Sequence, residues 1–126
     1  MKPTRILVVE DNDLNLKLVT RVLAHHGYEF LAARNGREAI DVARREHPDL
    51  ILMDIQMPDM NGLEATAILK ADPTTASIPV IAVTAFAMAG DGERIVAGGC
   101  DGYIAKPINT RTLVPEIQRF LAPQDG

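Results

Sequence analysis

The chain has 126 residues, 47% of them apolar and 24% charged, and a net charge of −4. Its length suits one domain with a core that needs no staples, and its acidic balance speaks against nucleic acid or an anionic membrane as the main partner, since both favour a basic face. The single cysteine, Cys100, excludes an internal disulfide and reads as a small buried hydrophobe rather than a reactive thiol. No segment has the pattern of a signal peptide or a membrane span, so the expected location is the cytoplasm.

Short β-rich runs alternate with helical patterns. Arg5–Val9 (RILVV) reads as a buried strand, β1. Asp13 is the candidate N-cap of α1, whose Leu14, Leu18 and Val22 share one face and which Gly27 ends. Residues 28–33 read as a more polar strand, β2. Asn35 and Glu38, three apart as in a capping box, open α2, which runs through Ala39, Ile40 and Ala43 and stops before Pro48. Strand β3 is expected over 49–53, and α3 over 63–70 with a stop near Asp72-Pro73. Residues 78–83 (IPVIAV) form β4. Helix α4 is expected over 85–97, with Gly90 and Gly92 inside it and Gly98-Gly99 at its end. Gly102–Ala105 is a short β5, and Leu113, Ile117 and Leu121 mark α5. Pro115 is harmless in the first turn of a helix that starts near Thr112, and kinks one that starts at Asn109. There is no repeat, linker or low-complexity segment.

Five β–α units imply an α/β fold with a parallel sheet covered by helices on both faces and right-handed crossovers. Ligands of such sheets gather at the carboxyl ends of the strands. Glu10 and Asp11 follow β1, Asp54 follows β3, Thr84 follows β4, and Lys106-Pro107 follows β5. Two unit charges about 4 Å apart interact by roughly 4 kcal/mol at an effective dielectric near 20, so this acidic cluster calls for cations. Carboxylate oxygens and water suit Mg²⁺. Together with Lys106 that ion offsets the charge of the three acids, and a neutralised Asp54 is able to attack a phosphoryl group as an aspartyl nucleophile. Thr84 and Lys106 are placed to hold the phosphoryl oxygens.

The stretches "VVEDN" (8–12), "LILMDIQMPDMNG" (50–62), "VIAVTAFA" (80–87) and "GGCDGYIAKPI" (98–108) together resemble the receiver domains of bacterial two-component response regulators. The resemblance covers essentially the whole chain, 1–126. It is strongest to stand-alone DivK-like receivers and to receivers of hybrid histidine kinases, both of which share "AFAMAGDGERI" (85–95). It implies a single receiver domain without an output domain. The implied fold is a flavodoxin-like (βα)5 doubly wound sandwich with a five-stranded parallel sheet of order 2-1-3-4-5. The implied function is a phosphorylation-activated switch in a phosphorelay, not a metabolic enzyme, that catalyses its own phosphorylation and dephosphorylation.

In that family's terms Asp54 accepts the phosphoryl group from phosphohistidine. Asp11 and Asp54 ligate Mg²⁺ (or Mn²⁺ in its place), Gln56 does so through its backbone carbonyl, and Glu10 acts through water. Thr84, the backbone N–H of Ala85 and Lys106 bind the phosphoryl group. Tyr103, three before Lys106, stands at the switch-aromatic position, and the α4-β5-α5 face rearranges. The Lys106–Pro107 bond is expected to be cis, and Gln56 and Phe86 to tune hydrolysis. Implied partners are a histidine kinase or histidine phosphotransfer protein upstream and a protein target on the α4-β5-α5 face downstream. The chain is expected to be a monomer able to dimerise on activation.

Other readings fit less well. A haloacid-dehalogenase-type phosphatase wants a second Asp where Gln56 stands, and a flavin carrier wants a glycine-rich phosphate cradle where Glu10-Asp11-Asn12 stand. A pseudo-receiver would not need the full set of acids, Thr84 and Lys106. Glu10 stands where many receivers have Asp, a departure that DivK-like receivers share. His25 and His26 read as solvated residues at the end of α1, and His47 as loop. Of the methionines, Met53 reads as core, with Met57, Met60 and Met88 filling loops.

Overall fold

The structure, a computed structural model, describes residues 3–55, 57, 60–85, 95 and 98–121. The apolar runs become the strands β1 (Arg5–Val9), β2 (Glu29–Ala33), β3 (Leu50–Asp54), β4 (Val80–Thr84) and β5 (Gly102–Ala105). They pair in parallel in the order β2-β1-β3-β4-β5, as expected. Strands β3 and β4 are buried at every position. The edge strand β5 alternates between buried and exposed, as one covered face requires.

The alternation along each strand divides the core in two. Leu7, Val9, Ile51 and Met53 point to one face and pack with Ala39, Ala43, Ala65 and Leu69 of α2 (Gly36–Glu46) and α3 (Gly62–Ala71). Ile6, Val8, Leu50, Leu52 and Ile81 point to the other face. There they meet Val19 and Leu23 of α1 (Asp13–His25) and Leu113 and Ile117 of α5 (Leu113–Gln118). A strand with both faces covered must be apolar at consecutive positions, which is why these strands read as unbroken hydrophobic runs.

Some boundaries differ from the sequence reading. Strands β3 and β4 extend one residue further, so Asp54 and Thr84 are the last residues of strands rather than the first after them. The N-cap of α1 is Asn12, not Asp13: its side chain accepts the N–H of Asn15 at 3.0 Å. Asp13 lies inside the first turn and pairs with Arg34. Asn35 caps α2 as expected, accepting from the N–H of Glu38 at 2.8 Å. Asn61 caps α3 through the N–H of Glu64 at 2.9 Å. Helix α5 starts after Thr112, which leaves Pro115 in the first turn where no N–H is missed. His25 and His26 are exposed at the end of α1, and His47 follows α2 with a left-handed φ of 48°. Met57, read as a loop filler, is in the core at 8% exposure.

The readings of α4 over 85–97, with Gly90, Gly92, Phe86 and Met88, lie outside the described residues apart from Ala85 and Ile95. So do those of Gln56 and of the tail 122–126. At the pole away from the strand C-termini, Lys70 Nζ donates to the carbonyls of Ala76 and Ile78 and to Asp101 Oδ2 at 3.2, 2.8 and 3.0 Å. Asp101 Oδ2 also accepts the N–H of Val80 at 2.8 Å, closing the base of β4 and β5.

Candidate functional site

Sheet register brings the singled-out side chains together. Val9 is paired with Met53, so Glu10 emerges beside Asp54. Thr84 is paired with Ala105, so Lys106 emerges beside Thr84, whose carbonyl accepts its N–H at 2.8 Å. Glu10 is itself held from the other side, its N–H donating to the Ala33 carbonyl at 2.9 Å. Glu10, Asp54 and Thr84 are 4%, 1% and 2% exposed, whereas Asp11 and Ala85 are exposed at the rim. One carboxylate oxygen from each of Glu10, Asp11 and Asp54 lies within 4.8 Å of the others. Lys106 Nζ donates to Asp54 Oδ1 at 3.0 Å. The Lys106–Pro107 peptide is cis, as the sequence reading expected.

The electrostatics follow from this crowding. Burial, aided by a hydrogen bond that it shares with Asp54 and by the charge of Asp54, pushes the Glu10 carboxyl up to about 7. The N–H of Asn12, 3.3 Å from Glu10 Oε2, and the Lys106 ammonium pull the other way. Among the described residues three carboxyl groups face one ammonium, so the site leans negative. Hard oxygen donors at this spacing, with Asp11 open to water, match the preference of Mg²⁺ for a few carboxylates and retained waters. The residues present therefore fit a divalent cation.

A cavity of about 340 Å³ opens beside the cluster, walled by Leu18 and Val19 of α1 and by Pro107 and Ile108, with Glu10 and Lys106 also lining it. Tyr103 stands on the edge strand β5 at 44% exposure. Gln56 lies outside the described residues.

A Cβ on Gly62 would stand 2.5 Å from the Asp54 carbonyl oxygen and 2.8 Å from Ile55 Cα. The Gly62 N–H also donates to the Ile55 carbonyl at 3.1 Å. Helix α3 thus starts directly against the backbone of Asp54, and only glycine allows that approach. The "NG" pair was the available signal, but its reason is tertiary. Cys100 is buried at 3% exposure beside Thr66, and burial pushes its thiol up.

Comparison with known proteins gives a consistent result. The profile of the response regulator receiver domain matches residues 6–118. The chain is 53% identical over 119 residues to the polar-differentiation response regulator DivK of Brucella anthropi, covering 94% of this chain and 97% of that protein. It is equally identical, over 116 residues, to DivK of Brucella melitensis, covering 92% and 94%. Among solved structures, the chemotaxis protein CheY4 of Vibrio cholerae superposes with a TM-score of 0.90 at 29% identity, covering 95% of this chain and all of that one. The receiver domain of a Pseudomonas aeruginosa sensor histidine kinase, solved with a magnesium ion coordinated in its active-site cleft, gives 0.86 at 34% identity, covering 94% and 98%.

Proposed function

This chain belongs to the response regulator receiver domain family, and we propose that it works as a phosphorylation-activated switch whose phospho-acceptor is Asp54. Membership makes it a component of two-component signalling rather than a metabolic enzyme, with a histidine kinase upstream and targets downstream in general terms. The observation that carries the assignment of Asp54 is its setting: a buried carboxylate at a strand C-terminus, 3.0 Å from Lys106 Nζ and within 4.8 Å of Glu10 and Asp11 oxygens.

In the proposed reaction an Asp54 carboxylate oxygen attacks the phosphorus of a phosphohistidine. The P–N bond breaks, its electrons return to the imidazole nitrogen, and an acyl phosphate remains on Asp54. Receiver domains bind Mg²⁺ in this acidic cluster; here Asp11, Asp54 and the Gln56 carbonyl would hold it, with Glu10 through water, and the ion would neutralise carboxylate and phosphoryl charge when bound. Lys106 turns from the carboxylate to a phosphoryl oxygen as a fixed cation. Thr84 and the N–H of Ala85 hold the remaining oxygens. Later a water attacks the same phosphorus, the bond to the Asp54 oxygen breaks, and inorganic phosphate leaves with the carboxylate restored.

Phosphorylation adds about −1.5 to −2 charge and three acceptor oxygens, but it replaces an existing carboxylate charge. Geometry therefore carries much of the signal. Thr84 follows the new acceptor, and Tyr103, half-exposed in this structure, turns into the space that is vacated. The α4-β5-α5 face then changes its affinity for a protein target. Upstream the donor is a histidine kinase or a histidine phosphotransfer protein, and the switch operates in the cytoplasm.

Intact-mass analysis after incubation with acetyl phosphate and Mg²⁺ tests the assignment. One phosphoryl adduct is expected, dependent on the metal, labile to hydroxylamine and absent from Asp54→Asn. An adduct that persists in Asp54→Asn would move the acceptor elsewhere. The absence of any adduct, from acetyl phosphate and from a phosphohistidine donor alike, would point to a receiver that signals without phosphate.

A further inference from the structure

Two loops hold the acids of the site, and one side chain joins them outside the chemistry. Glu10 is fixed through the carbonyl of Ala33, the last residue of β2. Three residues later Gly36 opens α2, buried and capped by Asn35. Asp54 is fixed from the other side by the segment that leads into α3, where Gly62 lies against its carbonyl. Met60, half-buried, belongs to that segment, yet its side chain lies on Gly36: a Cβ on residue 36 would stand 3.0 Å from both Met60 Cγ and Sδ and 3.2 Å from Met60 Cβ. A Cβ at residue 36 would therefore require Met60 to give way by a few tenths of an ångström.

The path from this contact to the reacting carboxylate is short and stiff. Met60 is followed by Asn61, whose side chain is locked on the N–H of Glu64 at 2.9 Å, and then by Gly62. At Gly62 there is no slack, because the Asp54 and Ile55 backbone fills the space where a Cβ would sit. Met60 thus stands only two residues from the point where the chain lies against the Asp54 backbone. We infer that Met60 seated on Gly36 is a positioning contact for phosphorylation, setting the placement of Asp54 relative to Glu10 by tying the β3–α3 loop to the start of α2. The inference rests on the reading of Asp54 as phospho-acceptor but concerns residues that touch neither donor nor metal.

The test compares Met60→Ala, Met60→Leu, Gly36→Ala and the double variant Gly36→Ala/Met60→Ala. The readouts are the rate of phosphorylation by acetyl phosphate, the Kd of Mg²⁺ by calorimetry, and Tm. Gly36 is not at a positive φ, so alanine there is tolerated by the backbone and acts only by displacing Met60. Met60→Ala and Gly36→Ala are each expected to slow phosphorylation on the order of 10-fold, within the 10²-fold that about 1 Å of misplacement is able to cost. Met60→Leu, which keeps the bulk, retains most of the rate. The double variant is no slower than Met60→Ala, because both changes break one contact. Wild-type rates in Met60→Ala, or losses that track only the unfolded fraction read from Tm, would overturn the inference, as would full additivity in the double variant. Should the wild-type chain form no adduct, the assignment of Asp54 fails by itself. The Mg²⁺ arm still decides the positioning contact: a weaker Kd in both single variants supports it and an unchanged Kd refutes it.

Discussion

Replacing Asp54 by Asn should make the metal-free protein more stable at mildly alkaline pH, although it removes a buried ion pair. The attraction lost is that of Lys106 Nζ at 3.0 Å from Asp54 Oδ1, ~5.5 kcal/mol at an effective dielectric near 20. The repulsion relieved comes from Glu10 and Asp11, whose oxygens lie within 4.8 Å, at least ~3.5 kcal/mol each on the same scale. Asp11 is exposed, so solvent screening takes the larger share of its part. The burial cost of an ionised carboxylate at 1% exposure is also removed, and such costs reach several kcal/mol.

The net expectation is a gain of ~1 kcal/mol at about pH 8, which raises Tm by about 4 °C in a domain of this size. The advantage shrinks on acidification. Glu10, lifted from 4.5 to about 7 by burial and by Asp54, favours the folded state when protonated. Its contribution is complete below the unfolded value of 4.5 and is lost as pH rises through about 7. At about pH 5.5 Glu10 is largely protonated, its repulsion of Asp54 is gone while the Lys106 pair remains, and the variant should lose its advantage or fall below wild type. Thermal melts in chelator at both pH values measure this, and added Mg²⁺ should raise the wild-type Tm more than that of Asp54→Asn. A variant that is less stable than wild type by the same margin at both pH values would refute the electrostatic reasoning.

Three further outcomes are expected. Gly62→Ala, whose Cβ would stand 2.5 Å from the Asp54 carbonyl oxygen, should cost ~2–3 kcal/mol in urea unfolding, as overpacking against backbone does; wild-type stability would show that α3 moves away freely. Asn12→Ala should cost ~1 kcal/mol through loss of the α1 cap, and Asp13→Ala under ~0.5 kcal/mol, because its pair with Arg34 is exposed. A reversed order in denaturant melts would restore Asp13 as the cap. Cys100, buried and with its thiol pushed up by burial, should react with a thiol reagent at about pH 8 only as fast as the protein opens. Rapid stoichiometric labelling of the native state would contradict that burial.

Much of this architecture was legible in the chain because it follows from local rules. Unbroken apolar runs alternating with helical periodicity imply a parallel sheet covered on both faces, and such sheets gather chemistry at the strand ends. That logic alone picked out Glu10, Asp11, Asp54, Thr84 and Lys106, and the register of β1, β3, β4 and β5 brings them to one pole. The capping-box spacing of Asn35 and Glu38 was equally readable. Asp13 was a reasonable cap by residue type, but Asn12 is as good a candidate and backbone geometry decides between neighbours.

What sequence could not show depends on approaches between segments distant in the chain. Gly36 and Gly62 look like ordinary turn glycines until Met60 and the Asp54 backbone are seen occupying the space their side chains would need. The meeting of Asp101 with Lys70 of α3 and the N–H of Val80 has no local signature in the chain. The raised Glu10 carboxyl likewise depends on burial and on Asp54 arriving from another strand. Sequence by itself determined which groups are present and at which end of which element, because periodicity and turn chemistry act over a few residues. Only the tertiary structure decided how near those groups stand, because burial, charge coupling and van der Waals exclusion act over ångströms, whatever the separation along the chain.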